Sequence, residues 1–470
     1  MTFSSISFIV FFVIVLYLLY VLPKNNIKKW VLFASSLFFY GYWSVFFLFV
    51  FLLITIVNYF AGKRIFYHLD SPRAKVWLYG IITLDLAILG MFKYYNFFVD
   101  SLNQLFVWKQ GLLPIGHLEI LLPIGISFVT FEVISYNVDI YRKHSAPAKT
   151  ILDFSLLIFF FPHLVAGPIL KPNHFLPQVE RKGISIKWAN IEEGAQIFIF
   201  GLVKKLLVAD RLAEFADPVF NNPSQYDSLT VWLAVVAYAV QIYCDFSGYT
   251  DMAIGAAKCM GFEIPKNFNM PYISLSITEF WRRWHISLST WLREYLYISL
   301  GGNRKGKVRQ NLNLMIVMLL GGLWHGASWN FVVWGGLQGI GLVAHKMYFE
   351  KILKKKEITH PVYRFFAWLL TLVFVCTAWV FFRSVSFSNS WIILGKMYGF
   401  GEYKGIHWLP VSLMVLLPIV IAAHLYGKQK EGYFQAPLHT FRGLFILFVI
   451  LLALVFFSLT NSSPFIYFQF

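Results

Sequence analysis

Long apolar stretches with few charges follow one another along the chain. A helix needs about 20 predominantly apolar residues to cross a bilayer, so each stretch is a candidate span. The stretches are 5–22, 31–62, 76–92, 118–138, 155–170, 229–244, 311–344, 365–382, 408–426 and 443–459, with a weaker one at 191–208. This pattern predicts an all-α polytopic membrane protein with roughly eleven spanning helices, accompanied by re-entrant and interfacial helices.

Two of these stretches are too long for one straight helix. Residues 31–62 carry Gly41-Tyr42-Trp43 near their middle, and we expect them to fold back into two helices. Residues 311–344 contain glycines at 321, 322, 326, 335 and 336, which we expect to interrupt the segment. Irregular backbone at membrane depth is tolerated only where protein shields it or where it lines a cavity. The interrupted segment is therefore a place to look for a functional site.

Composition supports a membrane protein. Only 13% of the residues are charged, whereas soluble domains carry about 25%. The 40 Lys and Arg exceed the 23 Asp and Glu by 17. Basic loops kept on the cytoplasmic side and touching anionic lipid account for this excess, so we expect no nucleic-acid partner. Residues 5–22 lack a basic leader and are expected to be a retained first span rather than a signal peptide.

No repeat or linker divides the chain, and we expect one membrane domain over residues 1–470. The three cysteines are scattered in apolar surroundings without a CxxC or Cys/His pattern. We therefore predict buried thiols, with neither a disulfide framework nor a metal site. They are Cys244, Cys259 and Cys376.

Residues 262–310 form neither a span nor an ordinary loop. They contain eight basic and three acidic side chains. Residues 276–297 are long enough for a helix, and one face of that helix would be apolar and rich in tryptophan and would carry a histidine. That face comprises Trp281, Trp284, His285, Leu288 and Trp291. Two interpretations stay open: an amphipathic surface helix that binds lipid phosphate, or a pocket whose guanidinium groups hold a polyanionic cytosolic donor.

A single histidine, His325, lies inside the interrupted segment 311–344, within Gly321-Gly322-Leu323-Trp324-His325-Gly326. An ionisable residue at membrane depth is costly and indicates a functional site by default. A neutral imidazole can act as a general base near pH 7. The alternative is a hydrogen-bonded structural histidine between helices. For His163, in FFPHLVAGP, we expect the structural role.

Three long motifs resemble the membrane-bound O-acyltransferase (MBOAT) superfamily. They are YCDFSGYTDMAIG (243–255), FWRRWHISLSTWLREYLYISLGGNRKG (280–306) and LGGLWHGASWNFVVWG (320–335). LPIGISFVTFEVISYNVDIYR (122–142), FFPHLVAGPI (160–169) and WVFFR (379–383) extend the resemblance over most of the chain. Within the superfamily they resemble the bacterial polysaccharide O-acetylation branch, which includes the alginate and peptidoglycan acetylation membrane subunits.

The resemblance implies the MBOAT fold, with helices around a central funnel in the bacterial cytoplasmic (inner) membrane. It implies an O-acetyltransferase that takes acetyl from cytosolic acetyl-CoA and relays it outward to an extracytoplasmic polysaccharide. No tightly bound cofactor is expected, since acetyl-CoA is a donor substrate. The chain has no G-x-S-x-G motif, which fits a need for a periplasmic or extracellular SGNH-like partner that modifies the polymer. A transporter or flippase, and a lipid or protein acyltransferase of the same superfamily, remain alternatives.

The resemblance also assigns individual residues. The catalytic histidine of the family falls on His325, and its second polar position falls on His285. Trp324 and Trp329 are expected to exclude water from the reaction. Asp245, Ser247 and Asp251 are expected to hold helices together rather than react. The residues expected to bind the donor are Arg282, Arg283, Lys305 and Trp324.

The C-terminal residues 460–470 form an aromatic tail, in which Pro464 precedes FIYFQF. One interpretation is interfacial anchoring, which Phe and Tyr commonly provide. The tail also resembles the C-terminal Phe-Ile-Tyr motif of the companion peptide used by the teichoic-acid D-alanylation relative, where a tyrosine is proposed to carry the acyl group. That resemblance implies that Tyr467 enters the funnel beside His325 as a catalytic residue. Its phenol, with a reference pKa of about 10, would need His325 as a base.

Overall fold

The computed structural model describes residues 1–107, 115–165, 167–181, 183–356, 358–401, 403–429, 433, 436–457 and 465–466. Among these residues the regular structure is helical, apart from one isolated bridge between Tyr226 and Ile406. The prediction of an all-α protein is confirmed. Contacts divide the chain into two compact units, Met1–Ala195 with Ala253–Pro265, and Gln196–Met252 with Lys266–Phe470.

Within residues 1–195 the first unit contains the following α-helices, the last of them only in part. They are α1 (Ile6–Val21), α2 (Asn25–Gly41), α3 (Val45–Tyr67), α4 (Arg73–Leu89), α5 (Tyr95–Val107), α6 (Ile126–Tyr141), α7 (Ile151–Phe159), α8 (Phe161–Leu164), α9 (Pro172–Glu180) and the start of α10 (Trp188–Leu202). The fold-back predicted within 31–62 is confirmed, because α2 ends at Gly41 and Ser44 caps the N-terminus of α3. The predicted span 118–138 is partly wrong, since its helix begins only at Ile126.

The second unit continues from α10 through a π-helical turn, Val203–Ala209. Its helices are α11 (Asp210–Asn221), α12 (Ser228–Cys259, up to residue 252), α13 (Ile277–Arg283), α14 (Ile286–Trp291), α15 (Gly306–His325), α16 (Trp329–Met347), α17 (Pro361–Arg383), α18 (Phe387–Tyr398), α19 (Val411–Gln429) and α20 (Phe441–Phe457). Buried apolar side chains of α11, α12, α13, α17 and α18 form its core.

Three sequence expectations in this unit need correction. The segment 276–297 is not one helix, because α13 ends at Arg283 and α14 starts at Ile286. The predicted span 229–244 is too short, because α12 continues through the YCDFSGYTDMAIG motif to Cys259. In 311–344 the chain breaks only at 326–328, and the glycines at 321, 322, 335 and 336 lie inside α15 or α16. Favourable helix–helix packing outweighs the low helix propensity of these glycines.

Four helices in the described part of the chain are long and apolar enough to cross a membrane. They are Val45–Tyr67, Arg73–Leu105, Ser228–Cys259 and Pro361–Arg383. Shorter apolar helices are Ile6–Val21, Val411–Gly427 and Phe441–Phe457. These helices support the polytopic interpretation, whereas the number of spans and the single-domain description stay predictions.

Two local expectations agree with the structure. The three cysteines are buried free thiols, as predicted. His163 lies in the first unit, where its Nε2 is 2.9 Å from the carbonyl oxygen of Leu157 and its Nδ1 is 3.3 Å from Oε1 of Glu132. Both side chains of the His163–Glu132 pair are buried. These contacts are those of a histidine that joins α8 to its neighbours.

Candidate active site

The helical hairpin of α15 and α16 positions His325. His325 is the last residue of α15, and Ser328 caps α16 by accepting a hydrogen bond from the backbone N–H of Asn330. The two helices approach so closely that a Cβ on Gly322 would lie 2.2 Å from the carbonyl oxygen of Phe331. A Cβ on Gly335 would likewise lie 2.3 Å from the carbonyl oxygen of Met318. Only glycine fits at these two crossing points, which fix the end of α15.

An aromatic cage surrounds His325. The centroid of its imidazole lies 5.0 Å from that of Trp324, 5.0 Å from that of Trp334 and 5.2 Å from that of Phe382. His325 is 3% exposed. The side chains of the cage keep water from the imidazole and lower the local dielectric constant, which strengthens electrostatic interactions there.

His285 lies opposite His325, at the break between α13 and α14. Its backbone is left-handed, with φ 42° and ψ 56°, a conformation that costs about 1–2 kcal/mol for a non-glycine residue. This turn directs the side chain into the interior, where it is fully buried. Its ring centroid lies 4.7 Å from Phe246 and 6.3 Å from His325. Backbone strain of this kind is concentrated at functional sites.

Burial determines the protonation state of His285. Burial lowers the pKa of His285 to about 3, so its imidazole stays neutral at physiological pH and is a poor proton acceptor. A neutral imidazole can still donate or accept a hydrogen bond. The two imidazoles together are therefore suited to hold a hydroxyl or carbonyl group by hydrogen bonds.

Trp324 and Trp329 have different environments. Trp324 is 4% exposed, and its ring centroid lies 6.1 Å from that of His285, so it lies beside both histidines. Trp329 is 55% exposed, so the expectation that it excludes water is wrong. Trp329 begins α16 and faces outward, whereas Trp334 and Phe382 complete the cage. Sequence reasoning missed these two residues, although both lie in the quoted motifs LGGLWHGASWNFVVWG and WVFFR.

A basic cavity of about 750 Å³ lies beside α13, between that helix, the end of α16 and the start of α17. Arg282, Arg283, Lys346 and Arg364 line it. Arg283 forms an ion pair with Glu279, with Nε 2.9 Å from Oε1. Arg282 has no ion-pair partner among the residues that the structure describes. Two of the three predicted phosphate-binding residues therefore share a cavity.

Lys305, the third of these residues, lies elsewhere. It is exposed at the N-terminus of α15 and is not part of the cavity lining. The structure does not bring Lys305 together with Arg282 and Arg283.

Part of the C-terminal tail is buried in the second unit. Phe465 is 1% exposed, and its ring centroid lies 4.1 Å from that of Tyr249 and 5.9 Å from that of Phe246. Phe246 is the residue whose ring contacts His285. Tyr467 lies outside the described residues, and the peptide chain joins it directly to Ile466.

A family profile described as MBOAT, the membrane-bound O-acyltransferase family, matches residues 77–389. The chain belongs to the MBOAT family. The match includes both histidines and Arg282 and Arg283, and it ends before the C-terminal tail. As an MBOAT protein, this chain is a membrane-bound acyltransferase.

Relatives of this MBOAT chain cover most of its length. A probable alginate O-acetylase AlgI of Pseudomonas aeruginosa is 40% identical over 450 residues, which is 94% of this chain and 84% of the relative. A peptidoglycan O-acetyltransferase of Helicobacter pylori is 37% identical over 426 residues, or 84% and 78% of the two chains. A teichoic acid D-alanyltransferase of Bacillus subtilis is 28% identical over 282 residues, or 57% and 70%.

Proposed function

We propose that this MBOAT protein takes an acetyl group from cytosolic acetyl-CoA and relays it across the bacterial inner membrane for the O-acetylation of an extracytoplasmic polysaccharide. The names of the alginate and peptidoglycan relatives, at 40% and 37% identity, favour a polysaccharide of one of these types. A periplasmic or extracellular SGNH-like acetyltransferase would receive the acetyl group and modify the polymer.

The pairing of His325 and His285 carries this proposal. Their ring centroids lie 6.3 Å apart in an aromatic cage, and His285 is fully buried while His325 is 3% exposed. Acyl transfer from a thioester needs a base for the incoming hydroxyl and the exclusion of water, because water would hydrolyse the donor. A transporter has no thioester to protect from water, so the exclusion of water from the histidines is the feature that favours acyl transfer.

The basic cavity supports an anionic donor on the cytoplasmic side. Guanidinium groups bind phosphate oxygens in a bidentate manner, and Arg282 has no ion pair with a described residue. The connection from α16 to α17 also lines this cavity and carries Lys351, Lys354, Lys355 and Lys356. Such a run of lysines favours the cytoplasmic side of the membrane. CoA phosphates would bind here, while the thioester reaches inward past α13.

In the chemical step, His325 removes the phenolic proton of Tyr467 as the phenol oxygen attacks the thioester carbonyl carbon. The C–S bond breaks, the thiolate of CoA leaves, and it takes the proton from His325. His285, neutral throughout, positions the reacting oxygen by a hydrogen bond. The acetyl ester on Tyr467 is then transferred to the exterior partner. The burial of Phe465 and Ile466 favours this role over an interfacial anchor, which would expose the tail to lipid.

The decisive experiment follows thiol release from acetyl-CoA by the purified full-length protein. His325→Ala should lower the rate by at least about 100-fold, since general-base catalysis contributes that much. His424→Ala is the matched control, because His424 is also buried in the second unit but bonds within its own helix to Val420. Nearly unchanged thiol release by a well-folded His325→Ala variant would refute the proposal.

A donor series tests the finer assignment. Acetyl-CoA should react faster than longer acyl-CoA thioesters, whereas a lipid or protein acyltransferase of the same family would prefer a longer chain. Absence of thioester consumption with every donor, combined with movement of a polymer precursor across vesicles, would instead support a transporter.

A further inference from the structure

A buried three-residue ion cluster lies beside the C-terminal tail. Nζ of Lys205 is 2.6 Å from Oδ1 of Asp245 on α12 and 2.8 Å from Oδ1 of Asp210 on α11. All three side chains are at most 2% exposed. Charges this deeply buried are costly unless they are paired and hydrogen-bonded. One cation with two carboxylates leaves an excess negative charge, which favours a further hydrogen-bond donor.

The tail supplies such a donor. The backbone N–H of Ile466 donates to Oδ2 of Asp245 at 2.9 Å, across 221 residues of sequence. Thus Oδ1 of Asp245 faces Lys205 while Oδ2 holds the tail. A hydrogen bond to an ionised acceptor is about twice as strong as one between neutral groups. This contact fixes the backbone of the tail immediately before Tyr467.

We propose that Asp245, held in place by Lys205, is a positioning residue that docks the C-terminal tail beside the two-histidine site. The inference deepens the proposed function and rests on it for its catalytic meaning. Asp245 itself takes no part in bond making, since its carboxylate is occupied by a lysine and a backbone amide.

Aromatic contacts connect the docked tail to the site. Phe465 packs on Tyr249 and Phe246, and Phe246 packs edge-on against His285 with 4.7 Å between ring centroids. Residues on one turn of α12 therefore bind both the backbone of the tail and its phenylalanine. The same turn contacts one of the two histidines, so docking of the tail and placement of His285 depend on one another.

A second contact holds the helix that leads to the tail. The guanidinium of Arg211, the neighbour of Asp210 on α11, donates to the carbonyl oxygen of Phe457 at the end of α20, with Nη2 2.7 Å from the oxygen. The chain is thus held on both sides of the connection 458–464, at Phe457 and at Ile466. Two fixed points raise the effective concentration of the tail at the site.

The test measures burial of the tail in the full-length protein, independently of activity. Ile466→Cys introduces a thiol at a position that is 6% exposed and keeps the backbone N–H. Because position 466 is buried, a maleimide should label the introduced thiol slowly, and the native cysteines, which are also buried, should add little background. Adding Asp245→Ala should raise the labelling rate about tenfold, which corresponds to about 1.4 kcal/mol of docking free energy. The same Asp245→Ala variant without Ile466→Cys gives the background from Cys244.

Asp251→Ala is the matched control. Asp251 pairs with Lys204 at 2.5 Å, also between α12 and the π-helical turn, and its other oxygen accepts from the Tyr433 hydroxyl rather than from the tail. The labelling rate at position 466 should stay within about twofold of the parent value. Asp245→Asn, which keeps a carbonyl acceptor, should label at an intermediate rate. Unchanged protection in Asp245→Ala, or an equal increase in Asp251→Ala, would overturn the inference.

A tail variant covers the case in which Asp245→Ala does not fold. Ile466→Pro removes the donated N–H, fixes φ at this residue and leaves the ion cluster intact, whereas Ile466→Val keeps the N–H and the free φ. Acetylation should fall at least about tenfold in Ile466→Pro and stay near the parent level in Ile466→Val. Equal activity in both variants would show that acetylation does not need the docked tail, and the labelling rates at position 466 would then decide the docking inference by themselves.

Labelling and acetylation together separate the two proposals. If Asp245→Ala releases the tail while acetylation continues, the docking inference stands and the tail is not the acyl carrier. If the tail stays protected, Asp245 is not its anchor, whatever the activity.

Discussion

The closest approach of α15 and α16 makes Gly322 a sensitive position. A Cβ there would lie 2.2 Å from the carbonyl oxygen of Phe331 and 3.0 Å from Cα of Gly335. Ordinary contacts begin at 3.4 Å, so Gly322→Ala must separate the two backbones by about 1.2 Å, the difference between 3.4 and 2.2 Å. Both obstacles are backbone atoms, which cannot rotate away as a flexible side chain can.

His325 lies one helical turn after Gly322, so this separation displaces the proposed base. A displacement of about 1 Å at a reacting group can cost about 100-fold in rate. Overpacking of this kind typically costs about 1–3 kcal/mol of stability, which a protein of this size can tolerate. We therefore expect Gly322→Ala to fold, to melt at a lower temperature and to lose about 100-fold in thiol release.

Gly336→Ala provides the matched control on the same hairpin. Its Cβ would meet only Cδ2 of Leu319, at an ordinary 3.6 Å. Both variants should be purified, checked for melting temperature and assayed for thiol release from acetyl-CoA. Gly336→Ala should keep activity within about twofold, since nothing need move. Full activity in Gly322→Ala, or an equal loss in both variants, would refute the idea that the crossing point places His325.

Three further predictions concern the donor, the second histidine and the carrier. Arg282→Gln should raise the KM for acetyl-CoA more than Arg283→Gln, because Arg283 is already paired with Glu279. Equal increases in KM would contradict this prediction. His285→Gly should lower kcat and also lower stability at pH 7, because the cavity left by a fully buried ring costs about 2–5 kcal/mol, more than the roughly 1–2 kcal/mol of backbone strain that the glycine relieves. Burial lowers the pKa of His285 from 6.5 to about 3, so below pH 6.5 the unfolded chain binds a proton that the folded protein does not. The folded protein should therefore lose stability as the pH falls below 6.5, and His285→Gly should make the melting temperature less dependent on pH in this range. Tyr467→Phe should abolish acetylation. Mass spectrometry of the parent chain without its partner should detect an acetyl-tyrosine adduct that the variant lacks.

Apolar periodicity predicted much of the helical architecture but not how the helices end. The fold-back at Gly41 was predictable, since the apolar run exceeds the length of one span. The extension of α12 through Asp245 and Asp251 was not, because their partners Lys205 and Lys204 lie 40 and 47 residues earlier in sequence. Pairing allows these carboxylates to lie inside a helix that the hydropathy pattern ends at residue 244.

Some residues of the candidate site could likewise be predicted from the sequence and others could not. His325 could be chosen as a candidate from the sequence of segment 311–344 alone, because a single histidine in an apolar, glycine-rich segment is unusual. The break at His285 was not, since residues 276–297 have helical periodicity and only the tertiary structure imposes the left-handed backbone. Trp334 and Trp329 are five residues apart in one helix, and sequence alone gives no reason to prefer the buried ring over the exposed one.

The residues of the candidate site and of the docked tail lie at the ends or interruptions of helices, and this has a physical cause. A residue in the middle of an apolar helix faces lipid or a neighbouring helix, and its backbone groups are already bonded within the helix. His285 lies between two short helices as the N-cap of the second, His325 precedes the 326–328 break, and Ile466 follows the last helix. At these ends the chain can direct a side chain or an unused N–H into the protein interior. Asp245 can therefore bind the tail through the backbone, which leaves the side chains of the tail available for chemistry.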